Sequence, residues 1–393
     1  VVITRKVLRN VSLTAHPLGC RRHVEDQIAW VRNPKEPNYS PITAKMPARV
    51  LVIGGSTGYG LSSRIVAAFG GGADTINVSF EREPGERKTA TPGWYNTKVF
   101  EEHARKNGLK AFSVFGDAFS GEVKEKTANL IEEQFGQVDL IVYSVASPVR
   151  TDPATGATYR SVLKPIGKPF TALSVNLGDP TVTKETIESA TKEQTEETIK
   201  VMGGEDWRLW IDLLGKRQLL SAEAATVAFS YIGPEVTYPV YREGTIGKAK
   251  KDLERTAKVL SGTLKAYVSV NKALMTRASA VIPVVPLYMA LLYEVMSERG
   301  VHEQCTEQIW RLFTTRLYAG IPVPTDEEGR IRLDDWEMDP EIQKEVQKRW
   351  KLQREGKPLK GGNLTLVQRE YDNIHGFGYD GIDYEADIDP REI

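Results

Sequence analysis

The sequence predicts an α/β protein built on a doubly wound parallel sheet, with large helical and loop additions that form a substrate pocket. Three observations carry this expectation. From residue 50 to residue 270, short apolar runs alternate with segments of helical periodicity, the pattern of strands joined by crossover helices. The first run, Val50–Ile53, opens into Gly54-Gly55-Ser56-Thr57-Gly58-Tyr59-Gly60, and the segment behind it carries Leu61, Ile65, Val66 and Phe69 at helical spacing. Each later strand ends in a polar or glycine-bearing turn, the end at which such sheets bind ligands. Strand, glycine turn and helix in that order make a Rossmann-type phosphate site. The glycines allow close backbone approach to a pyrophosphate, and the helix N-terminus offers free N–H groups and a positive dipole end.

Composition narrows the partners. Lys+Arg and Asp+Glu are 52 each in 393 residues, so no net charge recommends nucleic acid or an anionic membrane. The longest apolar candidate, Ala280 to Leu292, holds two prolines and is too short to span a bilayer. Two cysteines, Cys20 and Cys305, argue against a disulfide scaffold and fit a reducing compartment. A cytoplasmic location is expected, or a mitochondrial one if a leader preceded Val1.

The chain reads as a single domain, 1–393. Residues 1–48 form a lead-in: Val7 to Leu13 a strand, His16 to Gly19 a turn, Cys20 to Val31 a helix with Val24, Ile28 and Val31 on one face, and Asn33 to Pro47 a proline-rich linker. Residues 49–280 form the nucleotide-binding and catalytic core. After the glycine turn come strands at Thr75–Phe80, Ala111–Phe115, Val138–Val142, Thr226–Phe229 and Ala266–Val270. Helices are expected at Lys98–Asn107, Val123–Phe135, Glu193–Leu214 and within Tyr241–Leu260. The insert 148–192 is Thr-rich and reads as irregular. Residues 281–393 are additions. The stretch Leu274–Arg299 is mostly helical but split or kinked at Pro283 and Pro286, Glu303–Tyr318 and Pro340–Trp350 are helices, Asp326–Trp336 is an acidic turn, and Gly376–Gly381 is a glycine–aromatic turn.

Some residues suggest chemistry. Glu81, closing the second strand, suits the adenosine ribose hydroxyls of NADH and would repel the extra phosphate of NADPH, although Arg82 beside it has the opposite tendency. Tyr241 and Lys250 follow the fifth strand with eight residues between them, and Tyr231 lies ten residues before Tyr241. A tyrosine hydroxyl can sit on a substrate carbonyl while a nearby ammonium orients the cofactor ribose and favours the tyrosinate. Gly244 and Gly247 would let a cofactor approach closely. His302-x-x-Cys305 and the pair His16 and Cys20 fall far short of a metal site, so no metal is expected. Trp207 and Trp210 read as core, and Asp334-Asp335-Trp336-Glu337 as a solvated acidic turn.

The chain resembles the trans-2-enoyl-CoA reductases and FabV-type enoyl-acyl-carrier-protein reductases of the short-chain dehydrogenase/reductase superfamily. The resemblance rests on Thr14 to Cys20, Val52 to Leu61 with its Gly-x3-Gly-x-Gly spacing, Gly93 to Asn96, Gly116 to Ser120, Val142 to Pro148, Val201 to Trp207, Tyr231 to Lys250 and Ser279 to Tyr288. It implies a Tyr-x8-Lys active site at Tyr241 and Lys250, with Tyr231 contacting substrate. It also implies cofactor contacts at Gly54, Gly55, Ser56, Thr57, Gly58, Tyr59, Phe80, Glu81, Asp117, Ala118, Val145, Ala146, Lys250, Ala273, Leu274, Met275 and Thr276. The implied reaction is NADH-dependent reduction of the trans-2 double bond of an enoyl thioester in fatty acid synthesis, by a monomer or weak homodimer. The stretch Asn271 to Arg277 leans toward the acyl-CoA branch. Enoyl-acyl carrier protein is the alternative substrate, and a short-chain carbonyl reductase or a dinucleotide-sensing binding protein are the rival functions.

Overall fold

The apolar runs fold as strands of one sheet, and the central ones, Arg49–Ile53, Asp74–Ser79 and Val138–Tyr143, are buried along nearly their whole length. The computed structural model describes residues 1–8, 11–34, 38–279, 282 and 284–393. Near the start, β1 (Val7–Leu8) and β2 (Val11–Ser12) form a short antiparallel hairpin where a single strand was expected. His16 then caps α1 (Pro17–Arg32), so the expected turn His16–Gly19 is instead a cap and first helical turn, with proline at a position that needs no N–H. Val24, Ile28 and Val31 are buried on one face of α1, as their spacing predicts.

The core follows the expected alternation: β3 (Arg49–Ile53), α2 (Gly58–Ile65) running into a π-helical turn at Val66–Gly70, β4 (Asp74–Ser79), α3 (Pro92–Lys106), β5 (Ala111–Phe115), α4 (Gly121–Gln134) and β6 (Val138–Tyr143). The α3 helix begins six residues earlier than periodicity suggests, because Pro92 starts it and Gly93 and Trp94 form its first turn. The insert is not irregular. Its threonines are β-branched, and they build two hairpins, β7 (Val149–Thr151) with β8 (Thr158–Arg160) and β9 (Phe170–Asn176) with β10 (Asp179–Ile187). The expected helix Glu193–Leu214 is two helices, α5 (Lys192–Met202) and α6 (Glu205–Lys216), broken at Gly203-Gly204. Trp207 and Trp210 are fully buried, as core residues should be.

Beyond these come β11 (Leu220–Ser230), α7 (Thr245–Leu260), β12 (Lys265–Val270), α8 (Val285–Glu298), α9 (Cys305–Leu312), which continues as a π-helical turn at Phe313–Leu317, and β13 (Arg330–Arg332). The chain then forms α10 (Pro340–Trp350), with the expected bounds, and α11 (Leu364–Ile374). Pro286 starts α8 rather than kinking it. Pro283 lies outside the described residues. Among the described residues no helix is long and apolar enough to cross a membrane.

The central sheet has seven strands in the order β13-β12-β11-β6-β3-β4-β5, and every pairing is parallel. Its order reverses between β3 and β6, so the crevice of this Rossmann-type sheet opens beyond the carboxyl ends of those two strands. The segment expected to be only an acidic turn supplies the edge strand β13. Apolar clusters cover both faces of the sheet, and a further cluster gathers α8, α10, α11 and the stretch Ala273–Met275.

Candidate active site

The glycine turn lies at the reversal point. Gly54, at φ +89°, follows β3, and a Cβ there would stand 2.2 Å from the Ser144 carbonyl at the end of β6. A Cβ on Gly60 would stand 2.0 Å from the Gly54 carbonyl. Glycine is therefore required at both places for the turn to tuck between the strand ends. Gly55 donates its N–H to buried Asn77 Oδ1 at 2.9 Å, a contact that fixes the turn and had no signal in the sequence. Thr57 is the N-cap of α2, whose first turn starts at Gly58.

Glu81 follows β4, with its side chain buried. Its Oε1 accepts from Ser56 Oγ at 2.6 Å and lies 3.5 Å from Arg277 Nη1, while its Oε2 is buried without a hydrogen-bond partner. Phe80 beside it is 82% exposed. Farther along the same crevice, Asp117 Oδ1 accepts from Phe119 N, Ala118 lends its carbonyl to Lys124, Val145 is half-buried and Ala146 is exposed. The stretch Ala273–Thr276 closes over the turn. Its first three residues are buried, Thr276 Cγ2 lies 3.7 Å from the Cβ position of Gly58, and Tyr59 donates to the Lys272 carbonyl at 3.0 Å.

The turn and Glu81 fit a nicotinamide dinucleotide. Two glycines without room for a side chain face a helix N-terminus, and an orphaned carboxylate oxygen waits at the end of the neighbouring strand, where ribose hydroxyls can donate to it.

Tyr241 and Lys250 lie on opposite sides of the start of α7, beyond the end of β11. Tyr241 is buried, its ring stands edge-on to Tyr231 at 4.9 Å between centroids, and its hydroxyl makes no hydrogen bond to another described residue. Burial raises its pKa. Lys250 Nζ donates to the Phe229 carbonyl at 2.9 Å, and burial lowers its pKa to about 8 against the pull of Glu254. Gly244 and Gly247 make close approaches within the chain. A Cβ on Gly247 would stand 2.0 Å from the Arg242 carbonyl, and one on Gly244 would stand 2.7 Å from the Val240 carbonyl. These glycines bend the chain so that Tyr241 can precede α7 so closely.

Tyr231 does not stand free beside Tyr241. Its hydroxyl donates to Glu337 Oε1 at 3.0 Å. Glu337 is fully buried, as is Asp334, so the Asp334–Glu337 stretch is not the solvated turn expected. An acidic four-residue run carries no local signal of burial; its partners come from residues 231, 273 and 288. His302, singled out with Cys305, bonds Glu370 at 2.7 Å and precedes α9.

A parallel sheet with a glycine turn at its reversal point defines a dinucleotide-binding protein of the Rossmann type. Residues 88–318 match the family model for the trans-2-enoyl-CoA reductase catalytic region, and residues 2–86 match that for the NAD(P)H binding domain of trans-2-enoyl-CoA reductase. The chain belongs to the trans-2-enoyl-CoA reductase family, and a nicotinamide dinucleotide is its cofactor. It is 51% identical to an enoyl-[acyl-carrier-protein] reductase [NADH] of Flavobacterium johnsoniae, over 98% of this chain and 97% of that protein. It is 48% identical to the protein of the same name in Coxiella burnetii, over 99% and 96%. Among solved structures, the Treponema denticola trans-2-enoyl-CoA reductase in complex with NAD superposes with a TM-score of 0.94 at 47% identity, covering 99% of this chain and 98% of that one. The Clostridium acetobutulicum trans-2-enoyl-CoA reductase in complex with NADH gives 0.94 at 41% identity, with the same coverage.

Residues 325–388 match a model described as an enoyl reductase FAD binding domain. Its polar groups here do not fit a flavin site, because they are spent on the chain itself. Glu337 bonds two tyrosines and Ala273 N, Asp334 pairs with Arg332, and Asp335 pairs with Arg311 and Arg316. No role for FAD follows from them.

Proposed function

We propose that this protein is an NADH-dependent reductase of trans-2-enoyl thioesters, with Tyr241 as the catalytic residue and the acyl carrier protein as the natural carrier. The observation that carries the reading is the Tyr241 hydroxyl. Tyr241 is a largely buried side chain beyond the end of β11 that shares an apolar cluster with Ala273, Leu274 and Met275, and its hydroxyl has no hydrogen bond to another described residue. A substrate thioester oxygen is the group that such a hydroxyl would serve.

When bound, NADH would supply hydride to the β-carbon of the enoyl group; negative charge would gather on the thioester oxygen, and the enolate would then take a proton from solvent at the α-carbon to give the saturated thioester. Tyr241 donates its hydrogen bond to that oxygen, a contribution worth roughly 3–4 kcal/mol when one oxyanion donor is removed elsewhere. The Lys250 ammonium, held by the Phe229 carbonyl, serves the cofactor ribose. The apolar walls around Tyr241 exclude water and strengthen these interactions. Glu81 supports NADH over NADPH, because its unpartnered oxygen suits a ribose hydroxyl and would repel a phosphate.

The lean toward CoA drawn from Asn271 to Arg277 gives way here to the second carrier kept open, because the curated relatives at 48–51% identity bear acyl-carrier-protein names. CoA thioesters remain substrates in this reading, by the likeness to the two solved reductases. The chain is proposed to act as one domain with the nucleotide-binding and catalytic core in 49–280.

The test is NADH oxidation with crotonyl-acyl carrier protein against crotonyl-CoA, with product analysis. A saturated thioester and a higher kcat/KM on the carrier protein are expected. A 3-hydroxyacyl product would overturn the reaction, and a higher kcat/KM on CoA would overturn the carrier.

A further inference from the structure

Glu337 is used by no step above, yet its carboxylate is fully buried and carries no ion pair among the described residues. Its Oε1 accepts hydrogen bonds from Tyr231 Oη at 3.0 Å and Tyr288 Oη at 2.7 Å. Oε2 accepts from Ala273 N at 2.7 Å. Gln343 Nε2 closes the group, donating to the Glu337 carbonyl at 2.7 Å and to Tyr288 Oη at 3.1 Å. The partners of the carboxylate come from the loop after β11, the stretch after β12 and α8, so one side chain joins three segments remote in sequence, and Gln343 of α10 closes on its main chain.

Anchoring Ala273 N alone would need only one neutral acceptor. A carboxylate that takes two further phenol protons on its other oxygen is costly to bury unless those bonds serve a purpose. Tyr231 supplies that purpose. Gly233, at φ +70°, has no room for a side chain, since a Cβ would stand 2.4 Å from Tyr231 Oη. The loop is thus shaped to let the Tyr231 hydroxyl reach inward to Glu337, while the Tyr231 ring presents its face or edge to Tyr241 at an interplanar angle of 81°.

We propose that Glu337 is a positioning residue: it holds Tyr231 by the hydroxyl, and Tyr231 in turn forms the wall that sets the enoyl thioester against Tyr241. The inference rests on the proposed reaction. It changes the role expected for Tyr231, whose single proton is directed at Glu337, so that Tyr231 shapes the binding of substrate while Tyr241 carries the oxyanion.

The test is a double-mutant cycle of Glu337→Gln and Tyr231→Phe. The amide keeps the size of the side chain and can still accept from Ala273 N, but it turns an N–H₂ toward the two tyrosines. Glu337→Gln is expected to raise KM for the crotonyl thioester about tenfold with kcat within about threefold, the signature of lost uniform binding. NADH affinity, measured by fluorescence titration, should not move. In the Tyr231→Phe background the same change should add less than about twofold to KM, because the hydroxyl through which Glu337 holds Tyr231 is already gone. KM effects that multiply in the double variant would overturn the positioning role and leave Glu337 a packing residue. If Glu337→Gln fails to fold, Tyr231→Phe alone decides: a KM rise of about tenfold supports the wall, and a normal KM overturns it. Absence of any turnover by the unmodified protein would instead sink the proposed reaction, and the positioning role with it.

Discussion

The cofactor side and the substrate side of the crevice are made of different material. The cofactor side is largely main chain: the glycine turn, the first turn of α2 and the carbonyl-bearing ends of β3 and β6. What matters there is the absence of side chains, and every part lies within a few residues of a strand end. The proposed substrate side is made of side chains, Tyr231, Tyr241, Tyr288 and Glu337, delivered from the loop after β11, from α8 and from beyond β13, with Lys250 of α7 proposed to serve the cofactor beside them. A main-chain site is broken by adding an atom and is indifferent to protonation. A side-chain site is broken by removing one, and its working state depends on pH.

The largest effect should come from adding one methyl group to the main-chain side. Gly60→Ala would drive a Cβ to within 2.0 Å of the Gly54 carbonyl, so the turn must open. NADH binding should be lost and thermal stability should fall by about 3 kcal/mol or more, as for severe overpacking. Calorimetry and NADH titration read both. An alanine variant that still bound NADH normally would erase the contrast between the two sides.

Removal of one oxygen from the other side should cost chemistry and not folding. Tyr241→Phe is expected to lower kcat by roughly 10²-fold or more while NADH binding and the melting temperature hold. Near-normal kcat in a folded variant would mean that another group carries the oxyanion.

Lys250 sharpens the comparison through pH. Its folded pKa of about 8 lies below the ordinary 10.5, because burial disfavours the ammonium. In the free protein the ammonium is therefore lost as pH rises through about 8, and NADH affinity and kcat/KM should fall along that limb. Stability has the opposite sign. Between about 8 and 10.5 the unfolded chain holds this proton and the folded one does not, so the contribution of this group is fully present above 10.5 and is lost as pH falls through about 8. Lys250→Met should weaken NADH binding roughly tenfold and flatten the basic limb of the profile. Unchanged NADH affinity with a lowered kcat would remove the ribose role.

The smallest effect is expected at Glu81, a side chain proposed to face the cofactor ribose from the end of β4. Glu81→Gln should raise the kcat/KM ratio of NADPH to NADH roughly fivefold, through loss of repulsion toward the added phosphate. Equal use of both cofactors by the unmodified protein would remove the basis for this claim.

The same contrast explains what could be read from the sequence. Val50–Ile53, the glycine turn and the alternating runs through Val270 are local patterns, and they give the sheet and the phosphate site without any tertiary information. The threonines of 149–187 were misjudged because period-2 hairpins exposed on one side have weak apolar alternation. Gly203-Gly204 broke a helix that periodicity alone runs through. Glu337 was least legible: four residues of acidic, turn-like chain look solvated unless one knows that Tyr231, Tyr288 and Ala273 N converge on them. Asn77, which holds Gly55, is equally silent. Long-range partners leave no trace in a short window.

The strand β13 has a consequence for how the protein comes into being. It is three residues long, pairs with β12 in parallel, and is followed within a few residues by Glu337. A chain emerging from the ribosome through residue 270 would already hold the glycine turn and six strands, yet β12 would be an open sheet edge and Tyr231 would have no anchor. Parallel pairing with a strand some sixty residues later closes a long loop, a slow step that leaves the edge exposed to other chains meanwhile. The substrate wall around Tyr231 should thus be the last part of the crevice to form during synthesis.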